Sequence, residues 1–160
     1  MKAKPTVPIQ RIISGGQTGA DRAALDFAIK NNHPYGGWVP KGRKTEDGTL
    51  PEKYHLQEML TGQYSKRTEK NILDADGTLI LSHGPLTGGS ALTCELAKQH
   101  KKPWIHLDLK MTECPEAARM IREWIGRNNV KVLNVAGPRA SKDPLIYKAT
   151  LDVLATVFAD

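Results

Sequence analysis

Three stretches of this chain combine glycine with hydroxyl, amide or charged side chains in a manner suited to holding an anion. The first is Ser14-Gly15-Gly16-Gln17-Thr18-Gly19-Ala20-Asp21-Arg22. Glycines permit a tight turn and let main-chain N–H groups approach a negative group closely, and Gln17 and Thr18 would add side-chain donors. Asp21 either favours the dipole of a following helix or accepts from a ligand hydroxyl. The second is Thr87-Gly88-Gly89-Ser90-Ala91-Leu92-Thr93, where Ser90 or Thr87 serves as a helix cap or as a ligand contact. The third is Ala136-Gly137-Pro138-Arg139-Ala140-Ser141, in which Arg139 offers a planar fork matched to phosphate. The run Pro40-Lys41-Gly42-Arg43-Lys44-Thr45-Glu46-Asp47-Gly48 is either a solvated loop or a lid that brings Lys41 and Arg43 to an anion. Arg67 and Glu95 are each open to a surface or a pocket-facing reading. None of these is the dinucleotide pattern G-x-G-x-x-G or a P-loop. His33, His55, His83, His100 and His106 lack zinc spacing, so no protein-ligated metal is expected. His83 is the one histidine expected at the carboxyl end of a strand.

The elements that must position these loops alternate along the chain. Ile9 to Ser14 reads as a strand, followed by the helical stripe Ala24, Leu25, Ala28 and Ile29, which Asn31, Asn32 and Pro34 end. Trp38-Val39 is expected as a short second strand, and residues 40–64 carry no long element. A helix over Ser65–Ala75, a buried strand at Thr78–Leu81 and a helix over Ser90–Lys101 follow. Next come a strand at Trp104–Leu107, a helix through Ala117, Ile121 and Ile125, and a strand at Val130–Val135. Asp143 is expected to cap the last helix, with Pro144 in its first turn. This alternation predicts one α/β, Rossmann-like three-layer domain over residues 1–160, with a mostly parallel sheet of about five strands and helices on both faces. Ligands of such sheets sit beyond the carboxyl ends of the strands, where all three glycine-rich loops fall.

Bulk properties narrow the partner class. The net charge is +6 over 160 residues, which favours anionic partners. The basic residues are scattered and aromatics are only 6%, so nucleic acid is expected to bind weakly at most. No apolar run is long enough for a membrane span. The start MKAKPTVPIQRII has no apolar core of the kind a signal peptide needs. Cys94 and Cys114 fit no paired motif and suit a reduced, cytosolic setting.

Taken in order, the motifs resemble those of the molybdenum carrier proteins, read as molybdenum cofactor carriers. The first loop, Pro40-Lys41-Gly42-Arg43 with Glu46-Asp47-Gly48, Arg67-Thr68 with Asn71, and Asp76-Gly77-Thr78-Leu79-Ile80 carry the likeness. So do Thr87–Thr93 and Leu133-Asn134-Val135-Ala136-Gly137-Pro138-Arg139. The resemblance implies a Rossmann-like fold of the superfamily that includes lysine-decarboxylase-like phosphoribohydrolases. It implies a cytoplasmic homo-oligomer, a tetramer, that stores or transfers molybdenum cofactor (molybdopterin) or a related phosphorylated pterin or nucleotide. Gly15, Gly16, Gln17, Thr18, Gly19, Asp21, Arg22, Thr87, Gly88, Gly89, Ser90, Thr93 and Gly137 would line the ligand, and Lys41, Arg43, Arg67 and Arg139 would neutralise its charge. A second resemblance, to the P-G-G-x-G-T-x-x-E motif of phosphoribohydrolases, rests on Gly88-Gly89 and Glu95 with Arg67 upstream. It implies, as the alternative, a nucleoside 5′-monophosphate phosphoribohydrolase using Arg67 and Glu95. Thr87, Ala91 and Leu92 depart from that motif.

Overall fold

The computed structural model describes residues 7–159. Residues 1–6, on which the reading of the N-terminal start partly rests, and residue 160 lie outside the described residues. Five parallel strands form the central sheet in the order β2-β1-β9-β7-β8. They are β1 (Arg11–Ile13), β2 (Tyr35–Gly36), β7 (Gly77–Ser82), β8 (Trp104–Asp108) and β9 (Val132–Ala136). β7 is buried along its whole length and lies between β9 and β8, as its unbroken Leu79-Ile80-Leu81 run demands.

Helices cover both faces. α5 (Ile146–Val157) packs against both α1 (Ala20–Lys30) and α4 (Cys114–Asn128) on one side, and α2 (Tyr64–Asp74) packs with α3 (Gly88–Gln99) on the other. Strand side chains alternate between the faces. Ile12, Leu79, Leu81, Leu133 and Val135 join Ala24, Ile121, Val153 and Leu154 in the main core. The α2/α3 side receives Ile13 and Ile80 together with the buried polar residues Thr78, Ser82 and Asn134. Asn134 Nδ2 donates to Thr78 Oγ1 at 3.2 Å, which satisfies both across neighbouring strands.

Two expectations about elements need correction. The second strand of the sheet is Tyr35–Gly36, not Trp38–Val39. The chain kinks at Gly37 (φ +125°), and Trp38–Val39 (β3) leaves to pair with Gln57–Glu58 (β6). A short 3₁₀ turn at Lys41–Arg43 and a hairpin of β4 (Lys44–Thr45) with β5 (Gly48–Thr49) complete this excursion. Its apolar residues Val39, Leu50 and Tyr54 close over Leu25 of α1 as a small second core. Asp26 pins it there, accepting from Tyr54 Oη (2.6 Å) and from Tyr147 Oη of α5 (2.5 Å). Burial, with the hydrogen bond to Asp26, pushes the Tyr147 hydroxyl up to about 12. The second correction concerns α5, which begins at Ile146 and not at Asp143. Asp143 Oδ1 accepts from Leu145 N at 3.0 Å within a turn ahead of the helix.

Candidate functional site

The loops after β1, β7 and β9 meet at the carboxyl edge of the sheet, and the first turns of α2 and α3 close the space between them. The result is a cavity of about 370 Å³, large enough for a small organic ligand. Gly15, Gln17, Asp21, Arg67, Thr87, Gly89, Ser90, Thr93, Gly137 and Arg139 all line it. So the three glycine-rich loops, more than 40 residues apart in sequence, share one wall.

The start of α3 is the open anion seat. Thr87 precedes it with extended backbone and makes no side-chain cap. Among the described residues, the N–H groups of Gly88, Gly89 and Ser90 have no protein acceptor. Unsatisfied first-turn amides at the positive end of a helix dipole attract anions. Lys142 adds a cation there, its Nζ lying 2.5 Å from where a Cβ on Gly88 would stand. Thr93 Oγ1 turns back to Gly89 O (2.9 Å).

The first loop behaves differently from its expectation as an amide cradle. Its N–H groups are consumed internally: Gly16 N reaches Ser14 Oγ, Gln17 N reaches Asp21 Oδ2 and Thr18 N donates to Gln17 Oε1. Thr18 Oγ1 donates to Glu46 and accepts from Ala140 N. Gly16 faces Val39, Leu50 and Leu56 instead of the cavity, and Arg22 caps the Gly16 carbonyl and pairs with Asp47. Gly19 is committed to backbone packing against Pro138. This loop therefore builds the wall and does not offer its amides.

The lid residues are also redirected. Arg43 spends its guanidinium on the carbonyls of Leu50, Pro51 and Tyr54, at 3.3, 3.0 and 2.8 Å. Lys41 stays exposed, with its main chain bonded to Thr61. Neither lines the cavity. Glu46 is instead the residue of that stretch that matters, since it ties Thr18 to Ser141 and sits 3.6 Å from Arg139 Nε. Burial works against its charge, but hydrogen bonds from Ser141 and Thr18 prevail and hold its carboxyl below the usual range.

Arg67 and Asp21 form the buried polar heart of the cavity. Arg67 Nη1 donates to Gly15 O at 2.6 Å and lies 3.4 Å from Asp21 Oδ2. Its side chain crosses the Tyr64 ring at 5.4 Å, and its Nε is buried without an acceptor. Burial raises the Asp21 carboxyl to about 6 despite the opposing pull of Arg67. The folded state therefore holds this proton more tightly than the unfolded chain, whose ordinary value is 3.8. Stability from Asp21 is full below about pH 4 and is lost as pH rises through about 6, with an upper size of about 3 kcal/mol. Urea midpoints of the wild type and Asp21→Asn, measured across that window, will shift in favour of the variant as pH rises. A constant difference would show that Asp21 titrates normally.

Several lining residues lie outside the set that the sequence alone assigns to the ligand. Tyr64, Thr68 and Asn71 come from α2, and Asn71 uses both amide arms on the Trp38 main chain. Lys142 and Asp143 follow the third loop, where the sequence alone predicts only a helix cap at Asp143. His83 lines the cavity with its Nδ1 2.7 Å from Asp143 Oδ2. Only the position of His83 after a buried strand signalled it in advance. Glu95 is not part of the cavity. Its side chain is 72% exposed and pairs with Lys98 at 3.7 Å, so the Arg67–Glu95 hydrolase arrangement is not assembled in this chain.

The family model of the circularly permutated YpsA SLOG family matches residues 12–158. This chain belongs to that family. Its fold is shared with the "Putative molybdenum carrier protein" of Syntrophus aciditrophicus SB, known from a 1.45 Å crystal structure. The two are 61% identical over 97% of this chain and 98% of that one, with a TM-score of 0.96. No curated protein matches this SLOG-family chain. No helix among its described residues is long and apolar enough to cross a membrane.

Proposed function

We propose that this SLOG-family protein is a carrier, acting as a single domain that binds, and stores or hands on, molybdenum cofactor or a closely related phosphorylated pterin or nucleotide. The observation that carries this reading is the open α3 N-terminus with Lys142 beside it, inside a cavity that also contains Arg67 and Arg139. The cargo's terminal phosphate suits the Gly88–Ser90 amides and Lys142. Its molybdate oxygens suit the buried guanidinium of Arg67, whose Nε lacks an acceptor. The structural relative's name, a molybdenum carrier protein, supports the same ligand class. A cytoplasmic homo-oligomer, a tetramer in the first instance, is the form proposed to do this.

The test is direct. Protein purified from molybdate-supplemented cells should carry molybdenum and, after oxidation, a fluorescent pterin in matching amounts. Lys142→Gln should weaken binding of the isolated phosphorylated pterin about tenfold, as loss of one charge-assisted contact does. A protein that retains neither molybdenum nor pterin, and whose titration with the phosphorylated pterin is flat, would refute the carrier reading.

A further inference from the structure

A carrier needs charge and shape, but this cavity also holds an oriented imidazole. His83, one residue past β7, meets Asp143 from 60 positions away at 2.7 Å. Asp143 is itself fixed: Oδ1 accepts from Leu145 N at 3.0 Å and its main-chain N donates to Arg139 O at 3.1 Å. Both side chains are mostly buried. A carboxylate only accepts, so in the neutral imidazole the proton sits on Nδ1 and the lone pair on Nε2. Nε2 has no protein partner among the described residues. Neighbouring Ser82 is no rival nucleophile. It donates to Gly84 O and so accepts from His106 Nε2, each at 2.7 Å.

The pair stands beside the anion seat. Lys142 and Asp143 are consecutive, the first against the start of α3 and the second on His83. A second, independent sign of a ligand is Arg67, which is 7% exposed, lines the cavity and has a buried Nε without an acceptor.

We propose that the His83–Asp143 pair makes this cavity a hydrolytic centre for phosphoanhydrides, with a nucleoside diphosphate as the substrate class, His83 as the general base and Asp143 as its positioning residue. This rests on the reading that the α3 start holds a phosphate. A water oxygen attacks the terminal phosphorus and forms the new P–O bond. The bridging P–O bond breaks, and its electron pair leaves with the departing nucleoside phosphate. The water proton passes to His83 Nε2 and then to solvent, while Asp143 stabilises the imidazolium. Nothing is oxidised or reduced. The α3 amides and Lys142 meet the charge on the phosphoryl oxygens. A phosphate departs without taking up a proton, so the step calls for a base and no general acid.

The experiment incubates the protein with ADP in ¹⁸O-water. It follows AMP, inorganic phosphate and free adenine, and titrates ADP and AMP binding in parallel. The wild type should release AMP and ¹⁸O-labelled phosphate. His83→Gln should lose about 100-fold in rate. Asp143→Asn keeps the acceptor for Leu145 N, and should lose about 100-fold in kcat with KM within about twofold. AMP affinity should persist in both, which shows that the cavity is intact. Binding of ADP by the wild type without phosphate release would overturn the proposal and leave the carrier reading standing. Release of adenine, or full activity in His83→Gln, would overturn it too. A wild type that binds neither nucleotide would also overturn the proposal, and the titration with the phosphorylated pterin would then decide the carrier reading on its own.

Discussion

Arg67→Met will cost about 3 kcal/mol of stability at pH 8 and less at pH 5. The substitution strands the Asp21 carboxylate, which is buried and 3.4 Å from the lost guanidinium, and breaking one side of a buried pair leaves an uncompensated charge. Asp21 escapes part of the penalty by taking up a proton. Burial already raises its carboxyl to about 6, and removing the cation raises it further. The deficit against wild type therefore grows as pH climbs, and urea unfolding at the two pH values reads it. Arg67 also supports Gly15 O and crosses Tyr64, roles that a lysine cannot fill together. In the carrier reading, Arg67→Met lowers affinity for the phosphorylated pterin by about 10- to 100-fold. Wild-type stability and affinity in this variant would show that the buried pair contributes nothing.

Gly19→Ala will be more severe, costing several kcal/mol and driving much of the protein into the unfolded state. Gly19 sits at φ +82° and ψ −129°, a region that a Cβ makes costly. A methyl group there falls on Pro138 O and comes within 2.9 Å of Ala140 N. These are main-chain atoms, which cannot swing aside as a side chain can. The third loop must then move, and with it the hydrogen bond from Ala140 N to Thr18 and that from Ser141 N to Glu46. A whole domain is held by only about 5–15 kcal/mol, so the loss is a large share. The measurement is the urea midpoint beside that of Gly89→Ala. Gly89 has nothing within 4 Å of its would-be Cβ, and that variant should stay within about 1 kcal/mol of wild type. Equal midpoints for the two variants would refute the argument.

The contrast between these two glycines shows how far reading the chain alone goes. Local pattern determined the architecture. An unbroken apolar run is a strand buried on both faces, and a stripe repeating near 3.6 residues is a helix with one buried face. That is why β7, α1 and α4 were legible, and why the glycine-rich loops were placed at the carboxyl edge of the sheet. Both signals fail where an element is two residues long. Tyr35–Gly36 is a strand only because Ile12 and Ile13 lie beside it, and Trp38–Val39 left the sheet because Gly37 bends the chain.

Which groups face the ligand space was decided by the tertiary structure. Arg43 and Arg67 are the same residue type, yet one is spent on three carbonyls of its own excursion and the other lies in the cavity. The amides of Gly16 to Thr18 are satisfied by Ser14, Asp21 and Gln17, while those of Gly88 to Ser90 stay open. His83 and Asp143 become partners only once β7 and β9 lie side by side. The physical reason is the range of the forces involved. Periodicity and turn preference act within a few residues, whereas a hydrogen bond or an ion pair depends on which distant segment the folded sheet brings within 3 to 4 Å.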